Sequence, residues 1–429
     1  MKHFIIYITV LWAFTTVFFS CSKSGASPNP VNPVDTVTTP VPTPNPSGNT
    51  FTYDSSFRST GSFATMGAVQ ADGKIIIANT TQIARLNMDG TLDNSFATGN
   101  AAGGDFHSLA LQKDGKMLLG GSFTSYNGQG KAYYIRLNAN GSVDNSFSVL
   151  PLETSFQPKI DVRSIALQSD NKILLGGNFY YVVSEVNGIS SGPHQIMRLG
   201  ENGAYDSTFK HNVKADFVNC LRILSNGKVL VTGQTLNVEY YRTPVTTNTL
   251  KNIVKLNANG SLDTSFKWPT FTFAMRSPYT YLPAYGKTIA VMDDGRILLG
   301  GRFQTTSTVS SDDYGGLVRL KLDGSIDNTL QKITFTGLVS ALCLASDRLV
   351  TGSMHDPDRT YTDANIATYH LNKDGSNNAN FKVNNFTNYG DVYMVLEDAN
   401  KNLLIFGKLY DKIITSTYTF HGVVRLKRV

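Results

Sequence analysis

From residue 50 onward, short apolar runs alternate with polar turn dipeptides in one recurring order. The pattern is fullest around residues 164–209. Ser164-Ile165-Ala166-Leu167-Gln168 leads through Asp170-Asn171-Lys172 into Ile173-Leu174-Leu175-Gly176-Gly177-Asn178-Phe179. After a variable stretch come Ile196-Met197-Arg198-Leu199, then Asn202-Gly203, then Asp206-Ser207-Thr208-Phe209. Each apolar run is too short for a helix and is bounded by Asp-Gly or Asn-Gly, so each reads as a strand. These dipeptides predict two-residue type I′ hairpins, which need positive φ at both central residues. The runs are nearly continuous rather than alternating, as expected when both faces of a sheet are covered.

One leucine marks each unit: Leu86, Leu137, Leu199, Leu256, Leu320, Leu371 and Leu426. A period of about 50 to 65 residues holding four short segments is the pattern of propeller blades. The expected fold is therefore all-β, a seven-bladed β-propeller of four-stranded blades formed by residues 50–429. The last unit stops at Val424-Arg425-Leu426-Lys427, before any Asp-x-Ser-Phe, while the repeat region begins with Tyr53-Asp54-Ser55-Ser56-Phe57. The N-terminal strand is thus expected to complete the C-terminal blade, close the ring and remove two sheet edges.

These repeats resemble the delta-60 repeat β-propellers. The resemblance rests on DGKMLLGGSFTSYNG with IRLNANGSVDNSF in the second unit and DNKILLGGNF in the third. The first unit departs from it with Ala78-Asn79, and Asn377-Asn378-Ala379-Asn380-Phe381 replaces Asp-x-Ser-Phe in the sixth. The resemblance implies a propeller and no particular activity.

The N-terminus reads differently. Residues 1–20 combine a basic start with an apolar run too short to span a bilayer, the form of a signal peptide. Ser20-Cys21 resembles the lipobox of bacterial lipoproteins, which implies acylation of Cys21 and a membrane reached through a lipid anchor. With Ser22 in place of Asp, the resemblance implies the outer membrane, in either leaflet. Residues 21–49 are proline-rich and lack aromatics, and so read as a disordered tether.

Composition narrows the function. A formal net charge of +6 without a Lys/Arg run argues against nucleic acid. Cys220 and Cys343 fall in different units and read as free, buried thiols. No nucleophile elbow, phosphate loop or zinc motif is present, so no catalytic residue, metal or cofactor is assigned. The repeated Asn-x-Asp/Asn-Gly-Ser/Thr-x-Asp run invites a calcium reading, but several copies offer a single carboxylate, and turn chemistry accounts for them. The cation before each marker leucine (Arg85, Arg136, Arg198, Lys255, Arg319, Arg425, with His370 in the sixth unit) is expected to pair structurally with the Asp of Asp-x-Ser-Phe.

The tight turns all belong to one face of the predicted disc, and the long, Tyr-rich connections to the other. Variable loops on a rigid scaffold are a common seat for ligands. The sequence therefore points to a monomeric cell-envelope binding scaffold with a glycan or an envelope protein as partner. Tyr240, Trp268, Tyr281, Tyr314 and Arg359 are the candidate ligand-binding residues. A glycan hydrolase or lyase on the same face, or a purely structural envelope protein, are the alternatives.

Overall fold

The computed structural model describes residues 50–58, 64–150, 152, 160–185, 188–193, 195–211, 213–215, 217–238, 251–269, 274–276, 280–282, 285–303, 316–330, 338–345, 348–354, 368–372, 376, 382–384, 388–412 and 418–428. The chain divides into Met1–Asn45 and Pro46–Val429. The described residues all belong to the second unit and contain strands but no α-helix.

An antiparallel ladder of three strands recurs along the chain. In the third repeat Asp161–Leu167 pairs with Ile173–Asn178, which pairs with Ile196–Leu199. The second repeat has the same ladder from Phe106–Leu111, Met117–Gly121 and Tyr134–Leu137. The fifth has it from Tyr285–Val291, Ile297–Arg302 and Gly316–Leu320. The fourth segment of the first five repeats is reduced to one bridge, such as Leu137↔Val143 or Leu199↔Tyr205. It ends early because the following Asp folds the chain into a turn, with Phe147 N–H donating to the Asp144 carbonyl.

The last repeat is built differently. Asn388–Glu397, Leu403–Lys412 and Tyr418–Arg428 form its ladder. Its fourth strand is Thr50–Tyr53, from the other end of the sequence, with Tyr53 opposite Leu426 and Phe51 opposite Arg428.

The tight hairpins correct one expectation. Gly73, Gly115, Gly141 and Gly203 have φ between 82° and 89°, but none of the Asp or Asn residues before them has positive φ. In each, two backbone bonds define a three-residue loop: Gly141 N–H donates to Asn138 O, and Asn138 N–H to Ser142 O. This is a type I turn followed by one left-handed residue, rather than type I′. Asp and Asn earn their place here by side-chain bonds, Asn140 Oδ1 accepting from the Ser142 N–H and hydroxyl. Gly141 is needed twice over, since a Cβ would also lie 2.4 Å from Ala97 O of the preceding repeat.

Apolar packing runs between repeats. Leu118 and Tyr134 of the second pack with Val162 and Leu175 of the third. Leu174 and Ile196 of the third pack with Val218 and Val231 of the fourth. The same face-to-face burial joins fourth to fifth, fifth to sixth and sixth to seventh. Leu404, Phe406 and Val423 of the seventh pack with Ile75, Ile77 and Leu86 of the first. Each ladder is covered on both faces, which explains the unbroken apolar runs in the sequence.

Candidate functional site

The repeated polar groups have a structural task. Arg136 Nε donates to Asp144 Oδ2 at 2.8 Å, Arg198 to Asp206 at 2.9 Å, Arg319 to Asp327 at 2.7 Å and Arg425 to Asp54 at 2.7 Å. The same arginines reach across to the next repeat. Arg85 Nη1 donates to Ala139 O, Arg198 Nη1 to Ala258 O and Arg425 Nη1 to Met88 O. A second cation from the first hairpin, Lys74 or Lys116, meets the same carboxylate. Burial alone would raise Asp144, but bonds from Ser146, Lys116 and Arg136 hold it well below the usual carboxylate range. Both Asp144 oxygens accept bonds within the chain, and among the described residues no three His, Cys, Asp or Glu cluster as metal ligands.

The repetition breaks at the first strand of each ladder. Six of these strands carry a β-bulge at the same place, shown by register shifts between Phe106 and Ser108, Val162 and Ser164, Val218 and Cys220, Gly286 and Thr288, Val339 and Ala341, and Val392 and Met394. The inserted residues are His107, Arg163, Asn219, Lys287, Ser340 and Tyr393. Bulges re-aim a side chain and are common beside functional sites. Equivalent positions thus carry six different polar side chains, whereas the turns and ion pairs repeat almost unchanged.

Four of them form a connected group. His107 Nδ1 meets Asp161 Oδ1 at 2.5 Å, and Arg163 Nε donates to Asp161 Oδ2 at 2.7 Å. The Arg163 guanidinium stacks 4.1 Å from the Phe217 ring centre, and its Nη1 reaches Asn219 Oδ1 at 3.4 Å. Asn219 in turn donates to Gly286 O at 2.9 Å, next to Lys287. Asp161 is buried, with 7% of its side chain exposed, against 33% for His107 and 34% for Arg163. Burial opposes its ionisation, but the bonds from His107 and Arg163 prevail and lower its pKa. Burial pushes the Lys287 ammonium down, and the Arg163 charge adds to this.

Strand pairing fixes where the group lies. Asp161 is opposite Asn178, at the end of the second strand where the long connection beginning at Tyr180 departs. The bulges therefore lie at the long-connection end of the strands, away from the tight turns.

The residues singled out from sequence are placed as follows. Trp268 is half-buried and packs against the apolar clusters of the third-to-fourth and fourth-to-fifth interfaces. Tyr281 lies on the short strand Thr280–Leu282, opposite Met275 of Ala274–Arg276. Tyr240, Tyr314, Arg359 and Cys21 lie outside the described residues. Cys220 and Cys343 are free thiols, partly buried rather than fully so, and burial raises Cys343 to about 11. The bulge group was missed by the sequence reading. Its signal was a pair of polar residues interrupting an apolar run, as in Phe106-His107-Ser108-Leu109 and Val162-Arg163-Ser164-Ile165.

An all-β chain of such repeats is a repeat β-propeller. Residues 70–96, 112–147, 168–209, 224–266 and 293–330 match the domain of unknown function (DUF5122) beta-propeller. The matched segments run from the first hairpin turn to the Phe of Asp-x-Ser-Phe or its equivalent position and omit every bulge residue. No curated protein matches the chain. Similar solved structures include the extracellular domain of a one-component system from B. thetaiotaomicron, at 12% identity and TM-score 0.40, matched over 87% of this chain and 39% of that one. This chain therefore spans about two fifths of that protein's length. A streptogramin B lyase is similar at 11% identity and TM-score 0.45, over 91% and 96% of the two chains. The PQQ-bound aldose sugar dehydrogenase from Streptomyces coelicolor is similar at 12% identity and TM-score 0.38, over 90% and 100%.

Proposed function

We propose that this protein is an exported lipoprotein, anchored to the outer membrane through Cys21, whose repeats form a closed seven-bladed propeller of the delta-60 kind. The propeller serves as a binding module for a glycan or an envelope protein at its long-connection end. Ring closure is supported by the pairing of Tyr53 with Leu426 and by the packing of Phe406 against the first repeat. The observation that carries the binding reading is the row of bulges. A scaffold selected only for packing repeats its residues, and here six equivalent positions all differ while the turns and ion pairs of the opposite end recur in most repeats. Diversity confined to one end of a rigid scaffold is how repeat proteins carry specificity.

A glycan array and an envelope pull-down with the full-length protein test this. Ligands captured by the wild type should be lost with Arg163→Ala and kept with Asn140→Ala at the tight-turn end. Capture that survives the first change and fails with the second places the seat at the wrong end.

The contact between His107 and Asp161 favours one second reading, an enzyme of the glycan hydrolase or lyase type. A buried carboxylate on Nδ1 fixes the imidazole and leaves Nε2 for proton transfer. Turnover of a captured glycan by the wild type and not by His107→Gln decides for that reading.

A further inference from the structure

We propose that Lys287 and Arg163 form the seat of a carboxylate, and that the ligand of this propeller is an acidic sugar of the uronic acid class. This rests on the reading of the bulge end as a ligand seat.

Asp161 is the one carboxylate joined to this group among the described residues, and both of its oxygens are occupied. Oδ1 meets His107 and Oδ2 takes Arg163 Nε. Lys287 has no hydrogen bond or ion pair among the described residues, although it is half-buried. The groups acting on it are Arg163 and Asp161 from the third repeat and Cys220 from the fourth. Ser340 holds the next bulge, and Ser340 is itself bonded to Val392 O at 2.5 Å. A half-buried ammonium beside a guanidinium is a costly arrangement with no structural return, since nothing folds around it as a pair. An incoming anion removes that cost.

Arg163 is prepared for the same task. Its Nε is held by Asp161, its Nη1 faces Asn219 and its plane lies on Phe217. Its Nη2 carries no hydrogen bond among the described residues. A guanidinium fixed on three sides loses little entropy when it binds a carboxylate. The rest of the row holds an amide at Asn219 and an aromatic ring at Tyr393. The Asn219 amide beside Arg163 and the Tyr393 ring further along the row suit the hydroxyls and the apolar face of a sugar better than the side chains of a peptide, whose recognition relies on apolar pockets or a free sheet edge.

Calorimetric titration of the full-length protein in detergent tests the proposal, with glucuronate and galacturonate oligosaccharides against their neutral glucose and galactose counterparts. The acidic sugars should bind at least tenfold more tightly than the neutral ones. Lys287→Met and Arg163→Met should each abolish that preference, and Lys287→Arg should retain it, with melting temperatures close to wild type. Equal affinity for acidic and neutral sugars overturns the carboxylate seat and leaves the binding module standing. So does a preference unchanged in Lys287→Met. Loss of all glycan binding in a folded wild type, with capture of an envelope protein instead, overturns the sugar class alone. If a folded wild type captures neither, the binding reading and this inference fall together.

Discussion

His370 shows how much one position can depart from the repeat that contains it. It stands where five other repeats place arginine and one places lysine, and position 378, which should supply the carboxylate, is Asn. Burial, aided by the charge of Arg348, lowers the imidazole to about 3 and keeps it neutral. The unfolded chain takes up a proton near pH 6.5 and the folded chain does not, so the stability linked to His370 is complete above that pH and falls as pH drops toward 3. The limiting slope is about 1.4 kcal/mol per pH unit. Melting temperature between pH 7 and 4.5 should therefore decline, and His370→Phe should flatten the decline. Parallel curves for the two proteins contradict a neutral buried imidazole. At the same scale, Lys401 adopts φ 63° and Asn171 φ 65° where four other repeats use Gly73, Gly115, Gly227 and Gly295. The turn tolerates these because one left-handed residue costs only about 1–2 kcal/mol.

At the scale of the element, the strand Thr50–Tyr53 and the turn after it do work that five of the other repeats do within their own sequence. Phe57 is buried with Leu404, Phe406 and Val423, and Arg425 stacks 4.7 Å over its ring. Asp54 binds Arg425 and Lys427, and bonds from Ser56 and these two cations outweigh burial to lower it to about 2. Arg58 N–H donates to Asp89 O of the first repeat, as Ala97 does to Asn140 one repeat later. Deleting residues 50–58 should expose the edge Tyr418–Arg428 and cost at least the roughly 3–5 kcal/mol of a lost core phenylalanine. Deleting residues 22–45 should leave the denaturation midpoint unchanged. Equal midpoints for the two truncations would remove the basis for a strand shared between the ends of the chain.

At the scale of the whole molecule, the lipid anchor proposed at Cys21 has its own test. Residues 22–49 hold seven prolines. At about 3.1 Å per residue such a chain reaches on the order of 80 Å when extended. Cys21→Ala should move the protein from the membrane fraction to the soluble fraction. Retention in membranes after a high-salt wash would show that the protein is held by something other than lipid.

The sequence alone determined the repeat, its strands, its phase and the ion pairs. These depend on local rules: apolar runs bounded by turn residues, and a cation eight positions before an anion, as in Arg85 and Asp93. The tertiary structure decided what local rules cannot reach. Gly90 and Gly141 look like ordinary turn residues, yet their space is taken by Phe57 and Phe96 of the preceding repeats. The turn type depended on backbone angles that Asp-Gly and Asn-Gly leave open. Trp268 reads as a loop aromatic, but its ring packs where two ladders meet. The clearest case is the candidate seat. His107, Asp161, Arg163, Asn219 and Lys287 are spread over 180 residues of chain, and each belongs to one or two polar residues that interrupt an apolar run. Only the packing of successive first strands, with one bulge in each, brings them together.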